Sequence, residues 1–133
     1  MFKTKIISFY NMQSGGKMVK EEIPFSEKLI KKYVGDGEIE FVNYMPRSKS
    51  GARDLEIKAI YDDGTRKIIV LHDYAVNITG KEVEVRPFNG KDERNAEIYR
   101  LYTEENLSQV FLANFFGISQ PAVSLIVKDI KNK

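Results

Sequence analysis

Apolar and polar residues alternate through DLEIKAIY, residues 54–61, where Leu55, Ile57, Ala59 and Tyr61 fall on one face. A period of two gives a strand one buried face and leaves the intervening positions outward. Asp63-Gly64 follows, a pair that tolerates the positive φ of a tight hairpin. The returning run at residues 68–71 is almost continuously apolar, the pattern of a strand covered on both faces. Upstream, KTKIISFY and KMVKEEI flank NMQSGG, whose Gly15-Gly16 pair suits a hairpin, and EIEFVNYM reads as a further strand. Ser26 and Gly35 bracket EKLIKKYV as N-cap and C-terminal stop, predicting a helix over 27–34. MPRSKSGARD reads as a loop by its Pro, Ser and Gly content. VNITG reads as a turn, and KEVEVRPF as a last short strand ended by Pro87.

After residue 90 the apolar spacing becomes helical. The turn formers of FNGKDERN mark a boundary between a β-rich domain, residues 1–90, and a helical domain, residues 91–133. Asp92 is the expected cap of a helix over 93–102, with Ile98, Leu101 and Tyr102 on one face. TEEN breaks it. Ser108 or Asn106 caps a second helix ending at Gly117. Ser119 caps a third, with Pro121 in its first turn, where a missing N–H costs nothing. The expected class is α+β: an N-terminal antiparallel β-sheet with a short helix, then three C-terminal helices.

Composition adds mainly exclusions. The 133 residues, 42% apolar and 30% charged, suit one ordinary domain or two small ones sharing a core. No apolar run approaches a membrane span. The N-terminal apolar stretch is too short and mixed for a signal peptide, so a cytoplasmic location is expected. The absence of cysteine removes disulfides, thiolate zinc sites and cysteine nucleophiles. A net charge of +2 says little about partners. The end of the chain is mildly basic, with Lys128, Lys131 and Lys133 set against Asp129.

The stretch QVFLANFFGISQPAVSLIVK, residues 109–128, carries the most information. Two helices joined by a tight turn need a small residue where they cross, here Ala113, and a residue able to take positive φ at the turn, here Gly117. Ile118 plugs the angle, Val123 and Ile126 face back toward Leu112 and Phe116, and Ser119, Gln120 and Ser124 point outward. Gln109, Leu112, Ala113, Gly117, Ile118, Val123 and Ile126 together resemble the helix-turn-helix of phage Cro proteins and repressors and of many bacterial regulators. The resemblance covers about 25 residues. With one helix ahead of the pair, it extends to a trihelical unit similar to resolvase-type or homeodomain-like domains. Residues 1–90 resemble no such family.

The resemblance implies that the helix at about 120–130 enters the major groove. Gln120 would read a base, its amide suiting N7 and N6 of adenine. Gln109 would bond a backbone phosphate and brace Gln120. Ser119 and Ser124 would donate to phosphates or base edges, with Ser119 equally readable as an N-cap only. Pro121 and Leu125 would touch a thymine methyl. Lys128 and Lys131 would hold the phosphate backbone, giving affinity without sequence information. Val110, Phe111, Phe115 and Val127 are apolar where such units meet solvent, so this face is expected to pack on the N-terminal sheet or on a second copy.

Other features are weaker. Arg47, Lys49 and Arg53 lie in a basic loop that serves either as a phosphate-contacting arm or as a solvated hairpin tip. NMQSGGK lacks the full phosphate-loop pattern. His72, the one histidine, reads as a strand-end residue, and Asp62 and Asp63 as turn residues. The six arginines do not suggest a recombinase centre. Neither an enzyme nor a metal or other cofactor is expected. The expected function is sequence-specific binding of double-stranded DNA, as a transcriptional repressor of bacterial or phage type acting as a homodimer. The N-terminal sheet would dimerise the protein, or bind a protein partner or effector. Two readings compete with it: plasmid or mobile-element partition or replication control with the same reading head, and a protein-docking module using the apolar face of the helices.

Overall fold

The computed structural model describes the backbone of residues 6–12 and 18–133, and side chains from Ile23 onward. The order of elements is β1 (Ile6–Met12), β2 (Met18–Ser26), α1 (Glu27–Val34), β3 (Glu38–Met45), β4 (Arg53–Ile60), β5 (Arg66–Asp73), β6 (Ile78–Val83), α2 (Gly90–Thr103), α3 (Gln109–Phe116) and α4 (Gln120–Lys131). The class is α+β. Strands β3 to β6 form an antiparallel meander. The β1–β2 hairpin joins its edge through a parallel pairing of Asn11 with Val42, giving the order β2-β1-β3-β4-β5-β6. The expected turn at Gly15-Gly16 lies outside the described residues.

The sheet is covered on both faces, for the reason the run at 68–71 suggests. Alternate residues of β3 and β5 feed two cores. On one face Val42, Leu55, Ile57, Ala59, Ile69 and Leu71 meet Ile30 and Val34 of α1. On the other, Phe41, Ile68, Val70 and Val83 meet Ile98, Leu101, Phe111, Leu112, Val123 and Val127 from the three C-terminal helices. Phe111, fully buried, lies 5.7 Å from the Phe41 ring between centroids. Burying such a side chain stabilises by about 2–3 kcal/mol, so the apolar face of α3 is held against the chain's own sheet.

Helix α1 forms where capping chemistry places it. Ser26 Oγ accepts from Leu29 N, and Gly35 takes φ 65° at the C-terminal end. Two expectations are corrected. The last strand begins at Ile78, inside the segment read as a turn, and ends at Val83 rather than at Pro87. Gly80, the residue behind the turn reading, is a strand glycine over which the Tyr33 ring of α1 packs: a Cβ there would lie 2.5 Å from Tyr33. The helix expected from Glu93 begins instead at Gly90, with Asn89 at the cap position. Asn89 N donates to Glu93 Oε2 at 3.3 Å, and Asp92 lies within the first turn, where its charge complements the helix dipole.

Helices α3 and α4 are joined by a break of three residues and bent by 109°. Gly117 takes φ 70° and ψ 32°, the left-handed region open to glycine. Its N–H and that of Ile118 close the end of α3 on Asn114 O and Ala113 O. Ala113 and Val123 are buried where the helices cross. No single described helix is long and apolar enough to cross a membrane.

Candidate nucleic-acid interface

Helix α4 turns one face inward and another to solvent. Val123 and Val127 are buried and Ile126 packs against the same core, whereas Pro121, Ser124, Leu125, Lys128 and Lys131 are exposed. Leu125, a large apolar side chain, is 59% exposed in the middle of this face. Gln120 is half-buried at the first position of the helix. Ser119 Oγ accepts from Ala122 N at 3.2 Å, so Ser119 is an N-cap whose hydroxyl proton stays available for donation. The basic residues of the last turn, Lys128 and Lys131, complement the helix C-terminus.

Gln109 opens α3 and is half-buried. It lies near the phenol of Tyr102 on α2, to whose oxygen Lys49 Nζ donates at 3.4 Å. The Lys49 ammonium sits 4.6 Å from the Tyr102 ring centroid. Lys49 and then Gln109 hold the Tyr102 phenol below its ordinary value, because both favour the phenolate. Lys49 is therefore brought from the β3–β4 loop to the start of α3, beside one of the expected site residues.

The other two members of the basic loop part company. Arg47 is exposed in the loop. Arg53 is the first residue of β4 and pairs with the buried carboxylate of Asp73 on β5. This bond raises the guanidinium pKa further. Arg53 is thus part of the sheet, not of a mobile arm: antiparallel register sets it directly opposite Asp73. The loop itself is closed by Ser48 Oγ on Ala52 O and by Ser50 Oγ on Asp54.

The sequence did not signal the buried polar residues Asn43, Asp54 and Glu56. Glu56 lies on the strand face read as outward, yet it is 1% exposed. Its Oε2 accepts from Ser108 N at 2.7 Å, and its Oε1 from Ser108 Oγ at 2.5 Å and Asn43 Nδ2 at 2.9 Å. Ser108 in turn caps α3 through Phe111 N. Asp54, also buried, accepts from His72 Nδ1 at 2.6 Å. His72, read as a strand-end residue, is the penultimate residue of β5 and makes this cross-strand pair. The apolar run at 68–71 signals a β5 covered on both faces, but it does not say which polar residues of the neighbouring β4 lie under the helices. Asp63 serves its turn as expected, accepting from Thr65 N and Thr65 Oγ, which lowers its pKa. Among the described residues no group of three or more His, Asp or Glu side chains converges as a metal would require.

Between the β3–β4 loop, the sheet edge and α3 lies a cleft of about 530 Å³, into which Lys49, Tyr102, Gln109 and Gln120 all open. Two expected DNA-contacting residues, Gln109 and Gln120, are thereby neighbours across one cleft. No family model, curated protein or solved structure matches the chain.

Proposed function

We propose that this chain binds double-stranded DNA in a sequence-specific manner, as a helix-turn-helix transcriptional repressor. The observation that supports this reading most is the solvent-facing side of α4. It carries Pro121, Ser124, Leu125 and Lys128, with Gln120 half-buried at its start, while the opposite side anchors the helix on α3 at a bend of 109°. A helix held at roughly 90–120° to its predecessor, with short polar side chains at its free N-terminal end, has the shape that fits a major groove.

In this reading Gln120 contacts an adenine edge, Ser124 a base or phosphate, and Pro121 and Leu125 a thymine methyl. Lys49, Lys128 and Lys131 contact phosphates, as does Gln109. Few cations lie near the groove, so one chain makes few phosphate contacts. A homodimer on half-sites one helical turn apart doubles them. Partition or replication control uses the same head and differs only in where its sites lie. For the docking alternative, Phe111 and Val127 are buried against the rest of the chain, whereas Val110 and Phe115 are only partly buried.

The test is selection from a randomised duplex pool by the wild type and by Gln120→Ala. The expected result is an enriched palindrome, with preference relaxed at one base pair in the variant by about 1–3 kcal/mol. No enrichment at low salt, where non-specific binding is strongest, would sink the reading.

A further inference from the structure

We propose that the cleft between the sheet and the helices binds a small organic anion with a flat ring, its charged group at Lys49 and its ring beside His72 and Tyr74. The volume, about 530 Å³, lies within the range of small-molecule sites. Three parts of the chain build it: Lys49 from the β3–β4 loop, Asp54 and His72 from the sheet with Tyr74 just past β5, and Gln109 and Gln120 from the helices.

The charges in the cleft select the ligand. Asp54 Oδ1 is hydrogen-bonded to the His72 ring at 2.6 Å, and Glu105 pairs with Lys81 at 3.3 Å. The Lys49 ammonium has the oxygen and ring of Tyr102, but among the described residues it joins no ion pair. Lys49 is thus the lysine of the cleft without a carboxylate partner among the described residues, and Gln109 and Gln120 line the same cleft. The far wall supplies the flat surface. The His72 and Tyr74 rings lie 6.1 Å apart between centroids, and Tyr74 is 41% exposed. With His72 Nδ1 engaged by Asp54, Nε2 remains to bond a ring heteroatom. Met45 and Val110 line the rest with apolar surface.

A ligand bonded to Gln109 and Gln120 withdraws both amides from DNA. This consequence rests on the function proposed above; binding in the cleft does not. The free ligand and duplex then exclude one another, which makes the cleft an effector site.

The test is isothermal titration calorimetry of the full chain with the four ribonucleoside monophosphates and with benzoate, against inorganic phosphate as control. The expected result is one-to-one binding of at least one ring-bearing anion, with inorganic phosphate weaker. Lys49→Ala should weaken it at least about tenfold, as loss of a charge-assisted hydrogen bond does. Tyr74→Ala, on an exposed strand end, should weaken the ring-bearing anion but not phosphate. Val110→Trp, which fills the cleft, should abolish binding while leaving the circular dichroism spectrum unchanged. Failure of all five anions to bind, or equal binding of phosphate and ring-bearing anions, overturns the proposal. So does a Lys49→Ala variant that loses affinity for duplex alone, since Lys49 then serves a backbone phosphate. A chain that selects a duplex but binds no anion keeps the DNA reading and loses this site; one that binds an anion but no duplex does the reverse.

Discussion

Glu56, midway along β4, places both carboxylate oxygens on Ser108, the residue that caps α3, 52 positions later in the chain. The sheet therefore holds the first turn of α3 through a buried acid at a helix N-terminus, where the dipole favours negative charge. Asn43 Nδ2 bridges the pair, donating to Glu56 Oε1 and to Ser108 Oγ. The Ser108 N–H and hydroxyl both donate to this carboxylate. Glu56→Ala should lower stability by roughly 2–4 kcal/mol, from buried donors left unmatched, as read by urea denaturation. Glu56→Gln should cost less, because its amide oxygen still accepts.

The same residue sets a pH dependence. Burial first, with a smaller push from Asp54, raises the Glu56 carboxyl above its ordinary value of 4.5, against the bonds from Asn43 and Ser108. A folded-state pKa above the unfolded one means the unfolded chain releases its proton first as pH rises. Its contribution to stability is then full below 4.5 and is lost as pH climbs through the raised value. Asp73 and Glu97 act in the opposite sense. Asp73 is lowered chiefly by Ala75 N–H, and Glu97 by Arg100 and the Arg86 N–H in spite of burial. Their contributions fade as pH falls below their ordinary values of 3.8 and 4.5. Chemical denaturation across this range should show wild-type stability declining above about pH 4.5 relative to Glu56→Gln. A constant difference between the two proteins would refute the assignment.

Gly117 lies at φ 70° with open space where a Cβ would stand. Gly117→Ala therefore meets no clash and costs only the left-handed backbone, about 1–2 kcal/mol. Ser119→Ala removes the α4 cap and costs about 1 kcal/mol. The two sit in one turn, so the double variant is a test of additivity: thermal melts should show a loss that differs from the sum.

Gly80 should behave differently. Its backbone is ordinary strand, but a Cβ would lie 2.5 Å from Tyr33 and 2.8 Å from Leu71. Gly80→Ala should destabilise by about 1–3 kcal/mol through overpacking. Tyr33→Leu should restore much of it in the double variant by making room, and absence of that rescue would mean that the α1–β6 contact is not the constraint.

The Tyr102 phenol should titrate below its ordinary value of 10.0, with Lys49 the larger cause and Gln109 the smaller. Carbon-13 chemical shifts of labelled tyrosine follow one ring at a time. Lys49→Met should move the Tyr102 midpoint upward, and Gln109→Ala should move it less. Should Lys49→Met leave the midpoint in place, the lysine does not approach the ring in solution.

What residues 1–133 determine by themselves is local. Ser26 and Gly35 delimit α1 because a cap and a left-handed stop act within one turn of the helix they bound. Asp63-Gly64 sets the β4–β5 hairpin, and Ala113, Gly117 and Ser119 set the α3–α4 turn, because each requirement is met within a few residues. Alternation put Leu55, Ile57 and Ala59 in the core for the same reason. Tertiary structure alone decided which partners the other face acquired. Strand register set Arg53 opposite Asp73 and Asp54 opposite His72. Packing of the helices on the sheet then buried Glu56 beneath Ser108 and brought Lys49 to Tyr102 and Gln109. Those pairs are far apart in sequence, and a polar residue on an alternating strand has the same pattern whether water or a helix lies above it. The difference lies in what covers the sheet, and that is a property of the assembled chain.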